Sequence, residues 1–286
     1  SGRMEKLQAF LNHAKSAAFF GKNEKKSKNS SETDTKKIAE SDDGQNNQSS
    51  SDSQKSSKTD DKEKETSKNQ EEQRYAYLTF DDGPSDNTDR ILDILKEKNV
   101  KATFFVVGKT DEKSKKRYQR IINEGHSLGM HSYTHDYSYI YSSMAHYKED
   151  LMKLQDYLYE VTGERIKLYR FPGGSSNSVS KIPIQSCINY LDKKGIIYYD
   201  WNASSEDAVS IGTSCDKLNE NILKDALLYH NTVILMHDLH ECTATVKGLE
   251  PLIDKLQKEG YILDAITQET VPVQHVKDKS KESAKK

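Results

Sequence analysis

Residues 74–98 read Arg-Tyr-Ala-Tyr-Leu-Thr-Phe-Asp-Asp-Gly-Pro-Ser-Asp-Asn-Thr-Asp-Arg-Ile-Leu-Asp-Ile-Leu-Lys-Glu-Lys. The period of the apolar pattern changes inside this stretch. Tyr75–Thr79 is a β-type run, Gly83-Pro84 stops it, and Ile91, Leu92 and Leu95 then share one face of a helix over Asn87–Lys98. The same alternation continues downstream. Further strands are expected at Ala102–Val107, Ser127–Met130, Lys167–Arg170, Ile196–Tyr199, Thr232–Met236 and Tyr261–Leu263. Helices are expected at Ser114–Glu124, Ala145–Thr162, Lys217–Tyr229 and Leu249–Glu259. Strand–helix alternation predicts an α/β domain with a parallel sheet. Seven strands suit either a doubly wound sheet or a small barrel, and both gather functional groups at the C-terminal ends of the strands.

Outside this region the composition changes. The 286 residues are 34% apolar and 31% charged, against globular norms of roughly 45–50% and about 25%. The deficit is local. Gly21–Gln73 carries 24 charged residues and 11 serines in 53 positions, with Ile38 and Ala39 its only apolar residues. Such a stretch cannot bury enough surface to offset its ordering entropy, so residues 21–73 are expected to be a disordered polar linker. As a flexible chain it would span roughly 40 Å. Residues 74–272 remain as one domain with enough apolar residues for its own core. The Lys-rich residues 273–286 are expected to be a disordered tail. Ser1-Gly2-Arg3 looks like a tag remnant. Leu7, Phe10, Leu11, Ala14, Ala17 and Ala18 fall at helical spacing, giving either a short amphipathic helix before residue 21 or the remnant of an upstream membrane tether.

A net charge of −2, with no basic stripe, argues against a nucleic-acid partner. No run approaches the 18 apolar residues of a membrane span. Cys187, Cys215 and Cys242 lack C-x-x-C spacing, which leaves either three thiols or one disulfide with a spare.

Polar clusters stand at the expected strand ends. Adjacent carboxylates such as Asp81 and Asp82 repel unless a cation holds them, or else one of them caps the following helix. His131 and His135, four apart, would face the same way on a helical turn and chelate a metal, although polar loops also carry histidines. With Asp82 they make a three-ligand set suited to zinc or a related divalent ion. Arg170-Phe171-Pro172-Gly173-Gly174 is either a plain turn or an arginine that orients a carboxylate, followed by N–H groups facing an oxyanion. Asp200-Trp201 ends the fifth strand, and Leu235-Met236-His237-Asp238 ends the sixth.

Five such clusters in this order resemble the polysaccharide deacetylases of carbohydrate esterase family 4, the NodB-homology family. The resemblance runs from about Tyr75 to Ile266, on Thr79–Pro84, His131–His135, Arg170–Gly174, Asp200-Trp201 and Leu235–His237. It implies a distorted (β/α) barrel of about seven parallel strands and hydrolysis of an N-acetyl amide with release of acetate. It implies one divalent ion, zinc with cobalt or manganese as alternatives, held by Asp82, His131 and His135. Asp81 would be the general base, oriented by Arg170, and His237 the general acid, paired with Asp200. The Gly173 N–H would face the oxyanion, and Trp201 and Leu235 would wall the acetyl-methyl pocket. The third motif reads Arg-Phe-Pro where the family often has Arg-Pro-Pro; the arginine and the glycine turn are kept.

The intact Asp81-Asp82 pair resembles the N-acetylglucosamine branch of the family, which implies a peptidoglycan substrate, with chitin, chitooligosaccharide or O-acetyl xylan as alternatives. The long linker suits a bacterial enzyme acting outside the cytoplasm, at the cell surface or secreted. Tyr133 leads a tyrosine cluster with Tyr137, Tyr139, Tyr141 and Tyr147 that would either stack on sugar or pack on the barrel. A non-haem iron oxygenase would share the two-histidine, one-carboxylate set but leave Asp81, Arg170 and His237 without a role. A non-catalytic wall-binding module would not need the acid and base.

Overall fold

The computed structural model describes residues 73–209 and 211–277. The expected N-terminal helix, nearly all of the expected linker and residues 278–286 lie outside the described residues.

Strand β1 spans Arg74–Asp81 and is followed by helix α1, Asp86–Glu97. Then come β2 (Thr103–Val107), α2 (Glu112–Asn123), β3 (Ser127–Ser132), a short α3 (Tyr137–Ile140) and α4 (Met144–Thr162). The second half holds β4 (Leu168–Tyr169), α5 (Ile184–Lys193), β5 (Ile197–Tyr198) and β6 (Ala203–Ser204). It closes with α6 (Cys215–Ala226), β7 (Asn231–His237), α7 (Thr243–Lys258) and β8 (Tyr261–Leu263). The short β6 and α3 are absent from the sequence expectation because two or four residues are too few to display a period; α5, ten residues long, is absent too and begins behind Pro183 with no side-chain cap.

Every strand pairing is parallel, in the order β5-β4-β3-β2-β1-β7-β6. β7 runs along one edge of β1, while β8 pairs with the first residues of β1 and β2 with the last. No pairing joins β5 to β6 among the described residues, so the sheet curls into an open half-barrel. The side chains alternate accordingly. Ala76, Leu78 and Phe80 of β1, Phe104 and Val106 of β2, and Ile234 and Met236 of β7 face the helices in the main core. Phe105, Leu168, Tyr199, Trp201, Val233, Leu235 and Ile266 form a second apolar cluster, which the alternation places inside the barrel. Each fully buried Leu, Ile or Phe contributes about 1.5–3 kcal/mol. On β3 the inward position is Gly129, where any Cβ would collide with the Phe105 ring.

The domain does not stop at Pro272. Val273 O accepts from Asp200 N at 2.7 Å, the His275 N–H donates to Asp200 Oδ2 at 2.8 Å, and Val276 N donates to Ser175 Oγ at 3.0 Å. The first residues of the expected tail therefore lie bonded across the end of β5, which corrects the boundary. The apolar Val273 and Val276, packed on the two clusters, supply the cause. Cys187, Cys215 and Cys242 are free thiols. Among the described residues no helix is long and apolar enough to cross a membrane.

Ending the chain at Pro272 should strip bonds from the buried Asp200 and Ser175. Each unsatisfied buried group costs about 1–3 kcal/mol, so the midpoint of thermal unfolding should fall by roughly 3–10 °C. Circular dichroism melts of chains ending at Pro272 and at Lys277 compare the two, and equal midpoints would contradict the correction.

Candidate active site

The register of β1 on β7 places Tyr77 beside Val233, Thr79 beside Leu235 and Asp81 beside His237. These are the inward positions of both strands, so Asp81 and His237 stand side by side at the C-terminal mouth of the barrel. Below them lies the Arg170 guanidinium, fully buried. Its Nη1 donates to Asp81 Oδ1 at 2.8 Å and to Thr79 Oγ1 at 2.7 Å. Nε donates to Tyr199 O and Nη2 to Asp200 O. The Phe105 ring lies under it, 4.3 Å from the guanidinium carbon. An arginine so enclosed needs these partners, because a buried unpaired charge is very costly.

Asp82 leaves the strand with φ 71°, in the left-handed region that a side chain with a Cβ rarely adopts. Val107 N donates to Gly83 O, and Lys109 Nζ donates to Pro84 O at 2.7 Å and Asp82 O at 3.4 Å. A Cβ on Gly83 would collide with the Asp238 carboxylate, which accepts from the Ser85 and Thr88 hydroxyls. The N-cap of α1 is Ser85, so neither aspartate of the pair is spent on capping.

His131 and His135 do not lie on a helical turn, contrary to the sequence expectation. The β2–β3 register jumps from Val106/Met130 to Val107/Ser132, so His131 is a bulged residue, and bulges commonly re-aim side chains beside active sites. His135 has φ 52°. The bend still brings the rings together: Asp82 Oδ1 lies 3.0 Å from His135 Nε2 and 3.4 Å from His131 Nε2. One ligand atom from each of the three residues lies within 4.8 Å of the others. His131 Nδ1 is 2.8 Å from Arg170 O, which leaves Nε2 as its ligand atom. Despite their proximity, Asp82 Oδ1 and His135 Nε2 are buried and make no hydrogen bond. Two such orphaned atoms fit a divalent cation, and one carboxylate with two imidazoles is a zinc-like donor set. Burial disfavours the Asp82 carboxylate, but the two imidazoles outweigh it and hold Asp82 well below the usual range. Burial pushes His131 down, toward the neutral form a ligand needs.

His237 is paired with Asp207, not Asp200. Its Nδ1 is 2.7 Å from Asp207 Oδ1, and its backbone N–H donates to Asp207 Oδ2 at 2.9 Å. Thr245 Oγ1 donates to the same carboxylate oxygen. Burial lowers His237, but the Asp207 charge and hydrogen bond outweigh it and push His237 up to about 9. The Asp200 carboxylate is occupied elsewhere, accepting from Ser175 N at 2.8 Å, Ser175 Oγ at 2.5 Å and His275 N. It braces the turn after Gly173, whose own N–H makes no hydrogen bond among the described residues.

Residues 68–187 match the sequence profile of the polysaccharide deacetylase family. The Bacillus subtilis protein YheN is 36% identical over 210 residues, 72% of each chain. A Bacillus cereus peptidoglycan-N-acetylglucosamine deacetylase is 31% identical over 206 residues, 71% of this chain and 72% of its own. The chain belongs to the polysaccharide deacetylase family. Among solved structures, the catalytic domain of a peptidoglycan N-acetylglucosamine deacetylase from Eubacterium rectale superposes with a TM-score of 0.67 at 34% identity, covering 71% of this chain and 93% of that one.

Trp201 and Leu235 both belong to the interior apolar cluster. The Tyr133 ring packs on α4. It lies against Gly108, with Lys153 Nζ 4.1 Å from its ring centre and Tyr157 edge-on. The bend at 132–135 turns it onto α4, and the ring beside His135 is that of Tyr137, 5.3 Å away. Tyr141 and Tyr147 are core residues, and the Tyr141 hydroxyl donates to Pro172 O. Sequence reasoning missed Asp207 because it lies in an expected loop and no spacing ties it to His237. Thr79 and Asp150, which holds the 132–134 bend, were also missed.

Asp207→Asn should lower the pH at which His237 loses its proton, since the raising charge is removed. An NMR titration of the His237 imidazole checks this, and a midpoint still near that of the wild type would assign the shift to another group.

Proposed function

We propose that the protein is a metal-dependent N-deacetylase that hydrolyses the acetamide of N-acetylglucosamine residues in peptidoglycan, releases acetate and acts outside the cytoplasmic membrane. One observation carries this reading: two orphaned ligand atoms, Asp82 Oδ1 and His135 Nε2, stand beside an Asp81–His237 pair fixed by strand register. The names of the Bacillus cereus and Eubacterium rectale relatives support the substrate class.

Zinc, or cobalt or manganese in its place, would be held by Asp82, His131 and His135. When bound, the ion supplies Lewis-acid polarisation of the acetyl carbonyl and acidifies the attacking water. Asp81, oriented by Arg170, would accept a proton from the attacking water. The Gly173 N–H donates to the oxygen that becomes negative. His237, held protonated by Asp207, donates its proton to the amine nitrogen as the C–N bond breaks. Trp201 and Leu235 close around the acetyl methyl. Asp200 and Arg170 position the turn and the base without touching substrate.

O-acetyl xylan is the second reading, favoured by a Pseudobutyrivibrio xylanivorans protein named as a bifunctional xylanase/deacetylase, 28% identical over 201 residues and spanned by this chain over 31% of its length. Acetate release from N-acetylglucosamine oligomers, peptidoglycan and acetylated xylan separates the two.

Asp81→Asn and His237→Ala should each keep the metal and lose roughly 10²–10⁴-fold in rate. The His237 change should harm amides more than esters, because without a proton on nitrogen the amide must expel an amide anion, a far poorer leaving group than an alkoxide. On the alkaline side activity should fall as His237, pushed up to about 9 by Asp207, loses its proton. Wild-type acetate release by both variants would remove these roles.

A further inference from the structure

We propose that Asp150, on the second turn of α4, is the residue that sets the His131–His135 bend in its metal-binding shape. The inference rests on the reading of Asp82, His131 and His135 as metal ligands. Asp150 is 4% exposed. Its Oδ2 accepts from Ser132 Oγ at 2.8 Å and Tyr133 N at 2.9 Å. Its Oδ1 accepts from Thr134 N at 2.9 Å and Thr134 Oγ1 at 2.7 Å. Three consecutive residues between the two histidines are thus bonded to one carboxylate, and among the described residues no cation pairs with it.

The bend needs such a support. A histidine pair four apart on a helix is aligned by the helix itself. Here one histidine is bulged out of β3 and the other sits at φ 52°, a conformation that persists only where its surroundings over-determine it. The Ser132 hydroxyl completes the link: it donates to Asp150 and accepts the His135 N–H at 2.8 Å. Asp150 therefore reaches the strained ligand through one hydroxyl, without touching either imidazole. Both its oxygens are needed. An asparagine has one acceptor oxygen, and its NH₂ would oppose the donors on the other side of the bend.

The test is metal binding by the full chain, with activity left aside. Metal-free protein is titrated with Co(II), following the visible d–d spectrum, and zinc affinity is read by competition with a chromophoric chelator. Wild type should take up one Co(II) per chain. Asp150→Asn and Ser132→Ala should bind about 10–100-fold more weakly, the usual effect of losing a partner behind the ligands, with an altered d–d spectrum. Leu158→Ala, a core change on the same helix, should lower the melting temperature while the folded protein keeps wild-type Co(II) affinity. That contrast separates positioning from general destabilisation. If Asp150→Asn does not fold, Ser132→Ala decides. Folded variants with wild-type affinity and spectrum overturn the role of Asp150 and leave the metal site standing. A wild type that binds no stoichiometric Co(II) overturns the metal reading, and this proposal with it.

Discussion

A guanidinium with no exposure to water is the constraint around which the barrel mouth is organised. Arg170 joins β1, through Thr79 and Asp81, to the carbonyls of Tyr199 and Asp200 beyond β5. Its own carbonyl takes the His131 ring nitrogen. Charge, backbone and ligand orientation meet at one residue. Removing the Asp81 charge would leave the cation buried with a neutral partner, a change of the kind that costs about 3–5 kcal/mol. The same pairing that would serve a base therefore also holds strand ends together across the interior.

Backbone strain gathers at the same mouth. Asp82 and His135 both have positive φ, and both lie in segments tied down from outside. Lys109 and the Ser85–Thr88–Asp238 group secure the Asp82 loop; Asp150 secures the histidine bend. Buried polar groups in such numbers are tolerated because they bond one another in a small volume of low polarity, where a satisfied network is rigid and an unsatisfied one is costly. The two orphaned atoms, Asp82 Oδ1 and His135 Nε2, stand out against this background of satisfied neighbours. Beside them, burial and Asp207 pull His237 in opposite directions and the carboxylate prevails.

Much of this is legible in the sequence. Periodicity located the long strands and helices because each must bury one face, and the strand-end position of Asp81, Asp82, His131, Arg170 and His237 followed from that. What escaped were elements without a period and contacts without a spacing. β6 has two residues, and α5 begins behind Pro183 with no side-chain cap. Asp207 follows that two-residue strand with no spacing that ties it to His237, and the family resemblance implies Asp200 as the partner instead. Residues 273–277 carry no period that sets them apart from a polar tail, yet Asp200, Ser175 and Tyr198 bond them.

The sequence by itself determined the parallel α/β architecture, the inward and outward faces of the long strands, and the identity of the charged groups at their ends, because these depend on the local alternation of apolar and polar residues. Tertiary structure alone decided which carboxylate meets His237, how two histidines converge without a helix, and that Tyr137 rather than Tyr133 lies beside them. Those choices depend on a bulge, two left-handed residues and hydrogen bonds from side chains 16 to 39 positions away. Such distances are set by how the chain folds back on itself, which no local pattern records.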